Sequence, residues 1–311
     1  MDALVIGASG FLGKALLRQL IGDGQYPAAA VLPRERLGID GCEVRELDFM
    51  SKNALHRLLS EERPSFIYYL AGQGSAALSR KDPEQTAEQN ILGTLRFLET
   101  VHGIEDYYPR ILLCGAAEEY GTVRGREMPL AEDSALRPDS VYGVTKACQT
   151  MLGSVYARTY GMGIVTARLF PCIGPELSPE HLVADLVMKI AEIEAGFRAP
   201  VLHVRNTALR RDYLDIRDAA RACQLLMEKG FAGEVYNVAC GKAVSVLEIV
   251  ELLQALSRET FILETEDTGA GSTVAGDIAR LRDDTGYAPE YTLEETLHTM
   301  LARCRRSFGM E

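Results

Sequence analysis

The stretch Ala3-Leu4-Val5-Ile6-Gly7-Ala8-Ser9-Gly10-Phe11-Leu12-Gly13 opens this 311-residue sequence and decides its fold. Its four apolar residues predict a buried strand, and the glycine after them ends that strand. Gly7 follows the strand directly, Gly10 lets the backbone approach a phosphate closely, and Gly13 lies in the first turn of a helix. This order is typical of a dinucleotide-binding βαβ unit. The alternative is a tight strand–helix turn without a ligand.

The alternation of strand and helix continues along the chain. Short apolar runs predict strands at residues 3–6, 28–32, 44–47, 66–70, 111–114, 164–169 and 235–238. Apolar residues at helical spacing predict helices at residues 13–20, 52–59, 85–101, 142–160 and 182–194. Strands that alternate with helices indicate an α/β fold, here a Rossmann-type doubly wound parallel sheet.

The overall composition narrows the class of protein. Asp and Glu number 44 against 33 Lys and Arg, for a net charge of -11, so we expect no nucleic-acid partner and no membrane partner. The N-terminus lacks the cationic region of a signal peptide, and no stretch approaches the roughly 18 apolar residues of a membrane helix. Neither the seven cysteines nor the five histidines show ligand spacing. We therefore predict a cytoplasmic protein with reduced thiols and no metal site.

The residues after the second predicted strand bear on the choice of cofactor. They read Val31-Leu32-Pro33-Arg34-Glu35-Arg36. At this place an acidic residue binds the ribose 2′-OH of NAD, whereas an arginine meets the 2′-phosphate of NADP. Arg34 favours NADP(H), and the adjacent Glu35 keeps NAD(H) as second choice; a solvated loop charge is the alternative for Arg34. Asp48, after the third strand, is placed to bind the adenine amino group or to cap the next helix.

A tyrosine and a lysine stand four residues apart at the start of a predicted helix. Tyr142 and Lys146 therefore share one helix face, one turn apart. An ammonium beside a phenol stabilises the phenolate and is expected to lower the tyrosine pKa from about 10. The tyrosine can then exchange a proton with a substrate oxygen while a nicotinamide exchanges a hydride with the adjoining carbon.

The pattern becomes irregular after Leu169, where Pro171, Gly174, Pro175 and Pro179 cluster. We predict a cofactor-binding Rossmann domain over residues 1–168 and a smaller C-terminal substrate-binding lobe over residues 169–311. The two interleave, because residues 211–240 again read as a helix and a strand and are expected to return to the first domain.

The sequence resembles the extended short-chain dehydrogenase/reductase superfamily, which includes nucleotide-sugar epimerases, dehydratases and reductases. Beyond the glycine loop and the Tyr142/Lys146 pair, the matching motifs are Leu70-Ala71-Gly72, Asn90 with Gly93-Thr94, Tyr120-Gly121, Arg168-Leu169-Phe170, Ile173-Gly174-Pro175, Arg211-Asp212-Tyr213, Asp215 with Asp218, and Tyr236-Asn237-Val238. Three further stretches resemble the GDP-4-keto-6-deoxymannose reductase branch: Glu118-Glu119-Tyr120-Gly121, Tyr142-Gly143-Val144-Thr145-Lys146-Ala147 and Asp284-Thr285-Gly286-Tyr287.

The resemblance implies roles for individual residues. The implied cofactor-binding residues are Gly7, Ser9, Gly10, Phe11, Leu12, Gly13, Arg34, Asp48, Phe49, Leu70, Ala71, Gly72, Tyr142, Lys146 and Phe170. The implied catalytic residues are Tyr142, Lys146, Asn90 and Glu118, and the implied substrate-binding residues are Ser75, Ala116, Glu118, Pro171 and Arg211. The substrate is expected to be a nucleotide-diphosphate sugar. A homodimer formed by the helices at 85–101 and 142–160 is also implied.

Two positions depart from the family pattern. Where relatives carry a serine or threonine that donates to the reacting oxygen, this chain has Ala116, followed by Ala117. Losing such a donor costs about 10²-fold or more in rate. Three explanations are open. Tyr142 alone is a sufficient donor, another residue such as Ser75 replaces the missing hydroxyl, or the protein has lost its chemistry. At the second position Pro171 replaces an asparagine that touches the substrate in relatives, and proline offers no hydrogen-bond donor.

Two charged residues have open interpretations. By resemblance Arg211 pairs with the substrate diphosphate; the alternative is a salt bridge to Asp212 or Asp215. Glu118 stands where sugar 4,6-dehydratases carry their base, but reductases with the same stretch do not dehydrate. A structural role for Glu118, bonding backbone beside the active site, is equally open.

These residues lead to one function and two alternatives. We expect an NADP(H)-dependent reductase of the C4 ketone of a nucleotide-linked 4-keto-6-deoxy sugar, with the proton from Tyr142 and Asn90 holding a backbone or water relay. One alternative is an epimerase or dehydratase that retains its cofactor. The other is a non-catalytic NADP-binding regulator, which the changes at Ala116 and Pro171 would suit.

Overall fold

The computed structural model describes residues 2–122, 128–266 and 271–310. The strands are β1 (Ala3–Ile6), β2 (Ala28–Val31), β3 (Glu43–Glu46), β4 (Phe66–Tyr69), β5 (Arg110–Ala116), β6 (Gly163–Leu169), β7 (Cys172–Ile173), β8 (Val201–Arg205), β9 (Arg210–Asp212), β10 (Leu214–Asp215), β11 (Val235–Val238), β12 (Ala243–Ser245), β13 (Ile262–Glu266) and β14 (Thr273–Val274). The α-helices are α1 (Phe11–Gly22), α2 (Lys52–Glu62), α3 (Ala76–Lys81), α4 (Pro83–Ala87), α5 (Gly93–His102), α6 (Val141–Tyr160), α7 (Leu182–Glu194), α8 (Ile216–Lys229), α9 (Val246–Leu256), α10 (Ala279–Thr285) and α11 (Leu293–Ser307).

A seven-stranded sheet in the order β3-β2-β1-β4-β5-β6-β11 forms the centre of the molecule. All of its strand pairs are parallel. The strand order reverses between β1 and β4, which is the place where doubly wound sheets bind dinucleotides. The predicted Rossmann-type α/β fold is confirmed.

Helices cover both faces of this sheet, and each face has its own apolar core. On one face Leu16 and Leu20 of α1 and Leu226 of α8 are buried against the sheet. On the other face Leu55 of α2 and Phe97 of α5 are buried in the same way. The strands in the middle of the sheet are almost wholly apolar because both of their faces are covered.

The helix predicted at residues 85–101 is interrupted. The chain forms α4, then a π-helical turn over Glu88–Leu92, then α5. π-turns inside α-helices are frequent at functional sites, and this one carries the candidate residue Asn90.

A smaller lobe has a separate core made mainly of α7, α9 and α11, with Ile190, Leu253 and Leu297 fully buried in it. The chain crosses between the two parts: after β10 it forms α8 and β11, and β11 pairs with β6 in the main sheet. Within the described residues, no helix is long and apolar enough to span a bilayer.

Candidate active site

The candidate residues gather at one edge of the main sheet. Gly7 follows β1, and the Leu70–Gly72 loop follows β4. Ala116 is the last residue of β5, and Phe170 follows β6. These strands are parallel neighbours, so their carboxyl ends lie side by side. Ligands of doubly wound sheets bind at this edge.

The glycine loop forms a cradle that side chains would fill. Gly7 has φ +86°, and a Cβ there would lie 2.8 Å from the backbone nitrogen of Ala71. A Cβ on Gly13 would lie 2.8 Å from the Cα of Ala8. Gly10 caps α1 without a side chain, so the first helical amides, from Phe11 onward, remain available to an anion. The pyrophosphate of a dinucleotide fits this cradle.

In the segment after β2, the two charged candidates Arg34 and Glu35 have different contacts. Arg34 is exposed with φ 71°, and its backbone N–H donates to a carboxylate oxygen of Glu46 at 3.3 Å. The carboxylate of Glu35 accepts from the Ser9 hydroxyl of the glycine loop and from the Leu32 amide. The Glu35 carboxylate therefore reaches the glycine loop. An acidic residue there favours NAD, whereas Arg34 favours NADP.

At the end of β3 the structure corrects one alternative. Ser51, not Asp48, caps α2: its hydroxyl accepts from the Ala54 amide at 3.3 Å. Asp48 is exposed and accepts from the Met50 amide at 3.0 Å, so its carboxylate faces solvent and can reach a ligand. The neighbouring Phe49 is buried.

Asn90 fastens the loop that follows β4. Its Oδ1 accepts from the Gln73 amide at 2.8 Å, and its Nδ2 donates to the Gln73 carbonyl and to the Thr145 hydroxyl, both at 3.0 Å. Gly72 has φ +131° and could not carry a side chain, because a Cβ would lie 2.6 Å from Asn90 Oδ1. Asn90 therefore ties the cofactor side of the cleft to α6.

Tyr142 and Lys146 are both buried at 8% exposure in the first turns of α6. Ser140 caps this helix from the preceding position, since its hydroxyl accepts from the Gly143 amide at 3.0 Å. Lys146 Nζ donates to Gln149 Oε1 at 2.5 Å, and Gln149 Nε2 donates to the Thr94 hydroxyl at 2.9 Å. In this arrangement the ammonium is held by a buried chain of polar groups that sequence reasoning missed.

The expected lowering of the tyrosine pKa is wrong for this structure. Burial, and next the nearby Glu118 carboxylate, raise the pKa of Tyr142 well above its ordinary value. Burial also lowers the pKa of Lys146, although its anionic neighbours oppose that shift. Tyr142 therefore keeps its proton, which suits a donor to an oxygen that becomes an alcohol.

Glu118 and Glu119 are adjacent in a short 3₁₀ turn over Ala117–Glu119, but their side chains have different contacts. Glu119 is fully buried: Oε1 accepts from the Ala116 amide at 2.8 Å and from the Thr150 hydroxyl at 2.9 Å, and Oε2 meets Arg168 Nε at 3.0 Å. The backbone-bonding role considered for Glu118 thus belongs to Glu119. Sequence reasoning missed it, although both Glu119 and Arg168 stand in quoted motifs.

Glu118 lies beside the start of α6. Its carbonyl backs onto α6, since a Cβ on Gly143 would collide with that oxygen. Burial is the largest influence on the Glu118 carboxyl and raises its pKa above the ordinary value, while Arg211 and Lys146 act in the opposite direction. The structure thus brings Glu118, Tyr142, Lys146 and Arg211 close enough for their charges to interact.

Three other candidates are placed less directly at the cleft. The Ser75 hydroxyl caps α3 by accepting from the Leu78 amide at 3.3 Å. The Phe170 side chain is buried against Tyr120, so its backbone is the part available to a cofactor. The Pro171 carbonyl accepts from the Leu214 amide at 2.9 Å, which joins the segment after β6 to β10.

Arg211 has no carboxylate partner within salt-bridge distance among the described residues. Its Nη1 donates to the Arg210 carbonyl at 2.8 Å and to the Ser272 carbonyl at 3.0 Å, and both terminal nitrogens reach the Ser272 hydroxyl at 3.1 Å. The suggested salt bridge to Asp212 or Asp215 is wrong: Asp212 accepts from backbone amides, and Asp215 pairs with Arg217. A half-buried guanidinium without a counter-ion is suited to an anionic ligand.

The described residues hold no group of three or more His, Cys, Asp or Glu side chains that could bind a metal ion. The site therefore offers a cradle for pyrophosphate, a buried tyrosine one helical turn from a lysine, a carboxyl group, and an arginine that has no carboxylate partner among the described residues. These groups can bind an anionic substrate and donate a proton.

Comparison with known proteins places this arrangement in a family. The family model for the NAD dependent epimerase/dehydratase family matches residues 3–239. GDP-6-deoxy-D-mannose reductase of Pseudomonas aeruginosa is 30% identical, covering 96% of this chain and 95% of that protein. A dTDP-glucose 4,6-dehydratase of Xanthomonas campestris pv. campestris is 27% identical over 94% of this chain and 90% of its own length.

A solved structure gives the same result at the level of the fold. The structure of RMD from Pseudomonas aeruginosa complexed with NADPH superposes with a TM-score of 0.87 and 28% identity, covering 99% of this chain and 100% of that one. The family match spans most of the chain, including the glycine loop, Tyr142, Lys146 and Arg211. The chain belongs to the NAD-dependent epimerase/dehydratase family of extended short-chain dehydrogenases/reductases.

Proposed function

We propose that this protein is an NADP(H)-dependent reductase that reduces the C4 ketone of a nucleotide-linked 4-keto-6-deoxy sugar. The observation that carries the proposal is the buried pair Tyr142 and Lys146 at the start of α6, together with Arg211, which has no carboxylate partner among the described residues. The Pseudomonas aeruginosa reductase, similar over nearly the whole chain, supports it.

Each side chain has a defined part in this reaction. A bound reduced nicotinamide supplies the hydride to the carbonyl carbon. Tyr142 donates its proton to the carbonyl oxygen, so that ketone, hydride and proton give the alcohol. Lys146 compensates the phenolate that remains, and Arg211 holds the substrate diphosphate. Asn90 keeps the loop after β4 against α6 and thereby positions the cofactor side of the cleft.

NADP(H) is the proposed cofactor, with NAD(H) as the second choice. The glycine cradle accepts the pyrophosphate of either. Arg34 favours the 2′-phosphate, and the similar RMD structure holds NADPH. The carboxylate of Glu35 at Ser9 would favour the ribose diol of NAD instead.

A dehydratase that retains its cofactor is the second candidate, because Glu118 lies in the cleft as an acid–base group and a dehydratase is among the relatives. Dehydratases of this kind return the hydride to the sugar, so they consume no cofactor. A reductase consumes one reduced nicotinamide per turnover.

The deciding experiment follows nicotinamide absorbance with purified protein, NADPH or NADH, and 4-keto-6-deoxy sugars linked to GDP, dTDP, UDP or CDP. Stoichiometric cofactor oxidation with at least one sugar is expected. Conversion of a 4-hydroxy sugar nucleotide without net oxidation, together with dinucleotide that survives dialysis, would support the dehydratase. Inertness toward every substrate, with NADPH still bound, would support the regulator.

We also propose a homodimer formed through α5 and α6. Four apolar side chains recur at helical spacing along one face of α6 and are between 43% and 55% exposed: Val141, Val144, Met151 and Val155. Leu92, on the adjoining π-turn, is also exposed. An apolar stripe on α6, with Leu92 on the adjoining π-turn, is suited to the same surface on a second copy.

Light scattering after size exclusion tests the dimer. The double substitution Val144→Asp with Met151→Glu should convert a dimer to a monomer, because it places charges in an apolar interface. Phe231→Glu is the matched control, since Phe231 is exposed outside this stripe. A monomeric unsubstituted protein would contradict the proposal.

The cytoplasm is the proposed location. All seven cysteines are free in the structure, and free thiols are typical of reducing compartments. Fractionation of cells that express the native chain would test this location.

A further inference from the structure

The end of β5 lacks a hydrogen-bond donor where the proposed reaction needs one. Hydride transfer to a ketone builds negative charge on the carbonyl oxygen, and each donor aimed at such an oxygen is worth about 10²–10³-fold in rate. Tyr142 is one donor. The neighbouring position is Ala116, a buried methyl group that cannot donate.

Glu118 is a polar residue two positions after this gap. The 3₁₀ turn that starts at Ala116 carries Glu118 two residues later, and the Glu118 carbonyl contacts Gly143, the residue after Tyr142. Among the described residues, its carboxylate makes no hydrogen bond to another residue. Glu119, in contrast, is fully engaged with Ala116, Thr150 and Arg168.

Burial favours the protonated form of Glu118, and two nearby cations oppose it. The charged or titratable groups that face Glu118 are Arg211 from β9, Lys146 and Tyr142 from α6, Glu119 from its own turn, and Cys172 from β7. Burial raises the pKa of the Glu118 carboxyl despite the two cations. A diphosphate bound to Arg211 would neutralise that guanidinium and raise the pKa further. Substrate binding thus promotes protonation.

We propose that the protonated carboxyl group of Glu118 donates a hydrogen bond to the carbonyl oxygen of the substrate, in place of the hydroxyl that Ala116 lacks. The inference rests on the proposed reductase function. Tyr142 transfers its proton to the oxygen, whereas Glu118 keeps its own proton and stabilises the developing charge.

Four proteins test this role by steady-state oxidation of the nicotinamide across pH: the native chain, Glu118→Ala, Glu118→Gln and the double substitution Glu118→Ala with Ala116→Ser. For the native chain, kcat should fall as pH rises through the raised Glu118 pKa, because the acid form is the donor. Glu118→Ala should lose about 10²-fold in kcat. Glu118→Gln keeps an N–H donor, so it should retain about a tenth of kcat or more and lose this pH dependence. The serine of the double variant should recover most of the loss.

Different outcomes separate failure of the inference from failure of the reductase. If the native chain oxidises no cofactor with any sugar nucleotide, the reductase function itself fails. If it does, equal losses in Glu118→Ala and Glu118→Gln without rescue by Ala116→Ser would overturn the donor role. Incorporation of solvent deuterium at the carbon beside the ketone would also overturn the donor role if it occurs with the native chain and stops in both Glu118→Ala and Glu118→Gln. Glu118 would then be acting as a base. Melting temperatures of all four proteins control for misfolding.

Discussion

The glycine loop and the turn after β5 lie at the same edge of one sheet, yet they are constrained differently. At Gly7 and Gly13 the backbone itself excludes a side chain, since a Cβ would lie 2.8 Å from neighbouring backbone atoms. At Ala116 nothing in the backbone requires a serine, and neighbouring side chains can supply a hydrogen bond. The cofactor side of the cleft is thus fixed by backbone geometry, whereas the substrate side depends on side chains that can replace one another.

The largest expected effect concerns the substrate side. Tyr142→Phe should lower kcat by about 10²–10⁴-fold, because it removes the proton donor. NADPH affinity should change little, since the glycine cradle is untouched. Transient kinetics and fluorescence titration measure the two quantities, and Tyr160→Phe, at the exposed end of the same helix, is the control. Equal loss of rate in both variants would remove Tyr142 from the mechanism.

The next effect separates two adjacent carboxylates. Glu119→Ala should lower the free energy of unfolding by about 3–5 kcal/mol, because it leaves the buried Arg168 guanidinium unpaired. Glu118→Ala should cost at most about 1 kcal/mol, since Glu118 has no side-chain partner to lose. Urea unfolding monitored by circular dichroism measures both. Similar decreases in the free energy of unfolding would show that the two glutamates do not differ in structural role.

Much of the fold could be read from the sequence because it depends on local patterns. The apolar runs predicted all seven strands of the main sheet, and the glycine loop predicted the helix that follows β1. The Tyr142/Lys146 spacing likewise placed both residues on one face of α6. These features need only short-range periodicity and the backbone requirements of glycine.

What could not be read depends on contacts between distant parts of the chain. Which of two neighbouring glutamates turns inward is decided by Arg168, 49 residues beyond Glu119. The Ser9–Glu35 contact joins residues 26 positions apart. The raised pKa of Tyr142 results from burial, which the spacing of a tyrosine and a lysine does not reveal. Side-chain orientation at the substrate side therefore required the structure.

A smaller effect is expected at the arginine of the substrate side. Arg211→Ala should raise KM about 10–100-fold, because a hydrogen-bonded charge contributes about 1.5–3 kcal/mol, while kcat changes less. Arg210→Ala is the matched control: its guanidinium pairs with Glu248 at 2.8 Å at a partly exposed position. Initial rates over a range of sugar-nucleotide concentrations give both constants. A loss confined to kcat would contradict a role in holding the diphosphate.

The smallest effect is expected on the cofactor side. It concerns residues whose side chains, and not the backbone, are expected to decide between NADPH and NADH. Arg34 is exposed, and an exposed charge pair contributes up to about 1 kcal/mol, so Arg34→Ala should reduce the preference for NADPH over NADH only about fivefold. Glu35→Gln should shift the preference in the opposite direction, because it removes the negative charge that accepts from Ser9. Ratios of kcat/KM for the two cofactors measure both shifts. If Glu35→Gln instead lowered kcat/KM for NADPH, the role of the Glu35 carboxylate would be to shape the glycine loop. The choice of cofactor would then also depend on backbone geometry.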